Sequence, residues 1–286
     1  MAERGQILSF TSNGVQHYAL APFVIGIYEF QLNHLDQEFA DLFEEYAPHL
    51  LRTVGGHKPA LGRVVPINAS IDARLQILAY EDMRAIIRGA RSFALRECIC
   101  RKERALQGHP CSHTLETCLA FSSQEGAFDY FNYAGRLISQ DEALRLLDAT
   151  EQEGLIHATY NVREQPMFVC NCCSCCCGFL QGLQEFGAPH MIARSNFVAA
   201  IDGETCNDCA ACASPRCPMD AIVQEPGRYA VSSDRCIGCG VCAVVCPSDS
   251  IRLTRRPDAE QSVPPKDIIH WSVERGSSRG GPLTRM

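Results

Sequence analysis

Residues 236–247 read CIGCGVCAVVCP, and residues 206–218 read CNDCAACASPRCP. Cys206, Cys209 and Cys212 recur 30 residues on as Cys236, Cys239 and Cys242, and Cys217 recurs 29 residues on as Cys246. Each copy runs into a similar exit, DAIVQ at 220–224 and DSIRL at 249–253, so the segment is an internal repeat. C-x2-C-x2-C spacing winds three thiolates round one iron–sulfur cubane, while a fourth cysteine followed by proline is carried off towards the other copy. A zinc ribbon needs only four cysteines, and nothing in it calls for two quartets each closed by proline.

Residues 196–255 resemble a bacterial 2[4Fe-4S] ferredoxin domain. The resemblance implies a pseudo-twofold βαββαβ fold with two clusters held between short helices and small antiparallel hairpins. Carried over residue by residue, it implies that Cys206, Cys209, Cys212 and Cys246 hold one cluster and that Cys236, Cys239, Cys242 and Cys217 hold the other. This chain departs from the pattern in one place. Four residues, ASPR, separate Cys212 from Cys217 where the family has three, so the loop is expected to bulge near Pro215 and to alter solvent access or potential at the second cluster.

Working outward, 18 cysteines in 286 residues exceed what a packed core requires. Disulfides belong mainly to oxidising compartments, whereas the opening MAERGQILSF has no apolar signal region, so a reducing, cytoplasmic setting is expected. The apolar stretch LAPFVIGIY at 20–28 contains Pro22 and falls well short of the ~20 residues that span a bilayer. No membrane insertion is expected. A net charge of -7 argues against a nucleic-acid partner, because phosphate neutralisation needs an excess of Lys and Arg. The sequence has no Walker A loop, dinucleotide fingerprint or C-x-x-C-H haem site.

Upstream, short β-branched and aromatic runs occupy 20–30 and 64–67. Between them Leu32, Leu35, Phe39, Leu42, Phe43 and Tyr46 recur at helical spacing, predicting a helix from near Gln31 that Pro48 disturbs or ends. Residues 72–90 offer one or two further helical stretches. The run RSFALRECICRKE at 91–103 is expected to deliver Cys98 and Cys100 on one side of an extended chain, and the following loop to add Cys111 and Cys118. Ser139 and Glu142 make a capping box for a helix that stops at Gly154. Residues 155–172 read as a hairpin whose second arm delivers Cys170 and Cys172, and GFLQGLQEF at 178–186 reads as a helix. A helix followed by a hairpin is winged-helix-like by analogy alone. The expected fold class is α+β: a mixed N-terminal region (1–90), a cysteine-rich domain with the winged-helix-like part (91–195), the 2[4Fe-4S] domain (196–255) and a tail (256–286). Within that tail DIIHWSV, carrying the lone Trp271, is able to dock on the body.

The remaining cysteines concentrate in VCNCCSCCCGF at 169–179. Cys98, Cys100, Cys111, Cys118, Cys170, Cys172, Cys173, Cys175, Cys176 and Cys177 are candidate ligands of an additional centre, since crowded thiolates repel unless a cation neutralises them. An iron–sulfur centre is the foremost reading, zinc or another d10 metal the second, and redox-active thiols the third. One cluster with spares, two cubanes or a larger centre would all suit the count. His109 and His113 beside Cys111 read as surface histidines before ligands, and His157 as a hydrogen-bonded core residue. Arg101, Lys102 and Arg104 read first as a solvated face and second as an offset to cluster charge. The motifs CICR, ETC, GRLIS, GLIH and CNCCSCCCG over residues 90–255 are similar to a group of multi-cysteine ferredoxin-type proteins of anaerobic bacteria. That resemblance implies iron–sulfur binding and electron transfer.

The expected function is therefore electron relay through two [4Fe-4S] clusters to the upstream centre or to a docked reductase. Asp202, Glu204, Asp208 and Asp234 are available to dock a basic redox partner protein. The alternative is a reductase whose upstream centre is itself the active site for a sulfur compound or another small substrate. Whether the chain is an enzyme or a carrier, and its oligomeric state, are open at this level.

Overall fold

The computed structural model describes residues 1, 6–12, 14–20, 26–128 and 135–279. An antiparallel hairpin of β1 (Leu8–Ser12) and β2 (Val15–Ala19) is followed, after a 3-10 turn at 29–34, by α1 (Gln37–Gly55), β3 (Gly62–Val64), α2 (Met83–Gly89), β4 (Ser92–Glu97) and α3 (Ile99–Leu106). The chain continues through β5 (Glu116–Ser122), β6 (Arg136–Leu137), α4 (Gln140–Glu153), β7 (Ile156–Tyr160), β8 (Phe168–Cys172), α5 (Gly178–Gln184) and β9 (Ile192–Ala193). The last part holds β10 (Phe197–Ile201), β11 (Ile222–Glu225), β12 (Arg228–Val231), α6 (Val241–Val244), β13 (Ile251–Arg255) and α7 (Ile268–Ser278). This mixture is of the α+β kind. Among the described residues no helix is long and apolar enough to cross a membrane.

Seven strands form one sheet in the order β6-β4-β5-β8-β7-β3-β9, antiparallel throughout except for β3 beside β9. β8 shows why both faces are covered, because alternate side chains leave a strand on opposite sides. Val169 joins Ile87, Leu95, Leu119 and Leu147 in a core under α2 and α4. Phe168 and Cys172 point the other way, into a core shared with Leu51, Leu180, Met191 and the C-terminal lobe. Each wholly buried aliphatic side chain here contributes about 1.5–3 kcal/mol of transfer free energy.

The hairpin at 156–172, the Ser139 cap and the Gly154 stop are as the sequence predicts. The Ser139 hydroxyl accepts from the Glu142 N–H at 3.2 Å, and Gly154 turns left-handed at φ 89°. The Glu142 carboxylate, however, pairs with Arg136 at 2.6 Å.

Four local expectations need correction. The first helix begins at Gln37, with the Asp36 side chain capping Phe39 N–H, and runs through Pro48 rather than stopping there. Leu50, Leu51 and Gly55 beyond the proline are buried, and Gly55 lies so close to Ala188 that an added Cβ would stand 2.4 Å from the alanine Cβ. That packing outweighs one missing backbone bond. Of the run at 20–30, residues 21–25 lie outside the described residues, and from Glu29 the chain forms a 3-10 turn ahead of α1.

Cys98 and Cys100 do not share an extended chain. The strand ends at Glu97, Cys98 caps α3, and Cys100 sits in its first turn. Cys118 belongs to β5 rather than to a loop. Finally, the described part of 256–286 is packed, not loose. Arg256 is buried, Trp271 donates its indole N–H to Ala60 O at 2.8 Å, and the Arg275 guanidinium reaches the carbonyls of Val54, His57 and Pro59.

Candidate metal centres

In the C-terminal lobe β10 pairs with β13 and β11 with β12, both antiparallel, with one cysteine loop running from β10 to β11 and the other from β12 to β13. Left-handed residues recur at the repeat spacing. Asp208 (φ 53°) matches Gly238 (φ 68°), Ala210 (φ 61°) matches Gly240 (φ 87°), and Asp220 (φ 47°) matches Asp249 (φ 54°).

In the second copy every carbonyl from 236 to 240 is engaged from outside the loop. Cys236 O accepts from Arg256 at 2.6 Å, and Ile237 O accepts from Ser195 N–H at 3.1 Å. Gly238 O accepts from the Ser195 hydroxyl at 2.7 Å, Cys239 O from Ile67 N–H at 3.0 Å, and Gly240 O from the Ser70 hydroxyl at 2.9 Å. The Cys239 and Val241 N–H groups, by contrast, are directed at the Cys239 sulfur, a backbone N–H environment of the kind that suits anions and iron–sulfur groups.

Cys217, Cys236, Cys239 and Cys242 line one small cavity, closed by Ala199, Ile222, Ile237, Val241 and Leu253. Burial pushes the Cys239 thiol up to about 12, with Cys236 and Cys217 adding to it, and pushes Cys242 up as well. Such thiols lose their protons to a bound cation and not to water. Cys212 likewise is raised by burial and by Cys246, Cys206 and Cys209. The four-sulfur donor sets and the N–H-lined loop fit a [4Fe-4S] group. The two quartets differ in exposure: Cys236, Cys239 and Cys242 are buried and Cys217 half-buried, whereas in the other set Cys212 is buried, Cys206 and Cys246 are half-buried and Cys209 is exposed.

The ten upstream cysteines divide into two groups. Nine of them line one cavity of about 420 Å³ that also meets Tyr28, Glu29 and Asn171; six of the nine, Cys98, Cys100, Cys118, Cys170, Cys172 and Cys177, stand outside a tighter group of four sulfurs. Hydrogen bonds between neighbouring thiols split their acidities. Cys98 is lowered by Cys100, and Cys170 by Cys118 and Cys172, while their partners Cys100, Cys118 and Cys172 are raised. Burial pushes the Glu29 carboxyl up to about 7. The other four, Cys111, Cys173, Cys175 and Cys176, bring their sulfurs within 4.8 Å of one another. Cys173 and Cys176 are buried, Cys111 is half-buried and Cys175 exposed.

Arg101 lies against both groups. It is 2 % exposed and donates to Thr117 Oγ1 at 2.6 Å, Asn171 O at 2.8 Å and Thr114 O. Burial works against its charge, and the Cys98 and Cys173 sulfurs hold it charged. The solvated-face reading is therefore wrong for Arg101, although Lys102, paired with Glu97 at 2.7 Å, does face solvent. Arg104 reaches Glu44 at 3.3 Å. His157 is a core residue, with Nδ1 2.7 Å from Asn171 Oδ1 and Nε2 3.1 Å from Glu151. His113 stands 3.6 Å from Glu153, and His109 is exposed; neither belongs to the four-sulfur group. Glu29 had no sequence signal. Arg101 had one, its position directly after C-I-C.

A short helix joins the two halves. Cys177 caps α5, and Gln184 at its far end donates to Pro218 O at 2.9 Å, beside Cys217. Seven helical residues rise about 10 Å.

A family described as "4Fe-4S binding domain" matches residues 229–252. The chain is similar to a probable iron-sulfur subunit of the Frd operon of Proteus vulgaris, 34% identical over 68 residues, which are 24% of this chain and 42% of that protein. It is similar to the electron transport protein HydN of Escherichia coli, 38% identical over 68 residues, 24% of this chain and 38% of that one. The pyruvate synthase subunit PorD of Thermotoga maritima is 45% identical over 58 residues, 20% of this chain and 56% of that protein. The chain thus covers less than half the length of the first two of these relatives. No solved structure matches it. It carries a 4Fe-4S ferredoxin-type domain within a longer chain.

Proposed function

We propose that this chain is a cytoplasmic iron–sulfur electron-transfer protein, or the electron-transfer subunit of an oxidoreductase. In this reading the C-terminal lobe holds two [4Fe-4S] clusters and exchanges electrons between a soluble partner protein and the thiol-lined cavity upstream. Such clusters supply one-electron chemistry at potentials set by hydrogen bonds to sulfur, charge and solvent exposure.

The observation that carries the reading is the clamped loop 236–240, whose carbonyls are all turned outward. Cys217, Cys236, Cys239 and Cys242 hold the buried cluster, and the apolar wall excludes water from it. Cys206, Cys209, Cys212 and Cys246 hold the cluster nearer the surface, and Asp202, Glu204, Asp208 and Asp234, all exposed on the lobe, are available to meet a basic partner. α5 offers the route from Cys217 to Cys177. One relative is named as an electron transport protein and another as a probable iron-sulfur subunit, which supports electron transfer here.

In Cys239→Ser, one cluster's spectroscopic signal and the electron throughput should fall together. Wild-type iron and wild-type throughput would sink the proposal.

The cavity supports a second reading, in which the upstream centre is an active site. Its volume of about 420 Å³ lies in the range of small-molecule pockets, and Glu29 supplies a carboxyl able to exchange a proton near neutrality. This reading predicts turnover of a small oxidant by the chemically reduced protein without a partner. The carrier reading predicts none.

A further inference from the structure

The four-sulfur group at the rim of the cavity differs in kind from the cluster sites. The Cys111 sulfur lies 3.5 Å from that of Cys175 and 3.7 Å from that of Cys173, and Cys175 lies 3.6 Å from Cys176. A disulfide joins its sulfurs at about 2.05 Å, so none of these pairs is bonded. Metal–sulfur bonds of about 2.3 Å, arranged tetrahedrally, set sulfur neighbours about 3.8 Å apart, close to what is seen. A cubane places four irons and four sulfides between its thiolates and holds them much farther apart. Sulfurs at these distances suit one shared ion rather than a four-iron cubane.

We propose that Cys111, Cys173, Cys175 and Cys176 form a closed tetrahedral site for a single zinc ion in the wall of the cavity, separate from the other six thiols and carrying no electrons. Two of these sulfurs are buried, where thiolates need a compensating cation. Four thiolates around a divalent ion retain net negative charge, and the buried Arg101 guanidinium stands beside Cys173 to offset it. Soft sulfur donors in a tetrahedron with no open position suit a structural zinc.

The ligands also explain what such an ion would do. Cys111 lies on the loop between α3 and β5, and the other three lie on the turn between β8 and α5. The loop is tied to its surroundings by polar contacts such as Thr114 N–H to the Glu153 carboxylate at 3.0 Å. The zinc pins this loop over the turn that carries the cavity's thiols.

The test is zinc and iron content of the anaerobically purified full chain, with zinc-edge X-ray absorption, for wild type, Cys111→Ser and Cys175→Ser. Cys175 is exposed, so its replacement leaves the packed interior intact should Cys111→Ser fail to fold. The expected result is about one zinc per chain with four sulfur neighbours at about 2.3 Å. After a chelator wash, both variants should hold about tenfold less zinc than wild type, with iron unchanged. Wild type that lacks zinc, or that carries iron or a disulfide at these four sulfurs, would overturn the proposal, as would variants that lose iron and keep zinc. Absence of iron everywhere, with zinc retained, would instead sink the cluster assignment and leave this site standing.

Discussion

The Arg216 guanidinium donates to Glu151 O at 2.9 Å and to Gln152 O at 2.8 Å, and its Nε donates to Val241 O at 2.9 Å. The four-residue loop between Cys212 and Cys217 therefore lies in a working joint. The lengthened ASPR loop places a cation at the C-terminal end of α4, where the helix dipole favours it, and ties that end to the start of α6.

Arg216→Ala removes all three bonds at once. It should lower the unfolding free energy by roughly 1.5–3 kcal/mol in anaerobic denaturant titration, the range for hydrogen bonds to a charged group. Arg216→Lys, with a single ammonium, should recover only part. An unchanged midpoint in Arg216→Ala would show that the joint is not energetically significant.

Two left-handed positions, one in each copy, predict opposite outcomes for opposite substitutions. In Gly238→Ala the new Cβ would stand 2.1 Å from Phe197 O and 2.2 Å from Ser195 Oγ, so the loop must move off its clamp. A loss of about 3 kcal/mol or more is expected, together with the buried cluster's iron. Ala210 holds its φ of 61° at a strain of about 1 kcal/mol, and Ala210→Gly should be neutral to stabilising by up to that amount. Thermal midpoints of the two variants check the sign of each.

Glu29 makes stability depend on pH. Its folded pKa, about 7, lies above its ordinary value near 4.5, so between these values the folded chain binds a proton that the unfolded chain has released. Stability from this group is then complete below the ordinary pKa, falls as pH rises through the window, and levels off above about 7. Glu29→Gln should flatten this slope, making the variant relatively more stable at about pH 7.5 than at about pH 5. A wild-type-to-variant difference that does not change with pH would contradict the assignment.

The C-terminal lobe was legible because cluster ligation imposes a spacing that sequence displays directly. Its supports were not. Ile67, Ser70 and Ser195, which clamp the second loop, lie 172, 170 and 43 residues from Cys239, Gly240 and Gly238, and nothing in their neighbourhoods marks them. Cys170 and Cys172 were placed by simple alternation along β8. Cys98 and Cys100 defeated the same rule, because the strand gives way to α3 between Glu97 and Ile99. The division of ten thiols into six and four depends on Cys111 being folded back over residues 173–176, a contact across 62 residues that no local pattern encodes. Trp271 was legible as a docking residue, but its acceptor, the Ala60 carbonyl, was not.

The most direct test is iron and acid-labile sulfide per chain in oxygen-free preparations, with electron paramagnetic resonance of the reduced protein. The account predicts on the order of eight irons or more, and signals of two interacting four-iron clusters, one of which disappears in Cys239→Ser. A colourless preparation with zinc in both C-terminal quartets would contradict it.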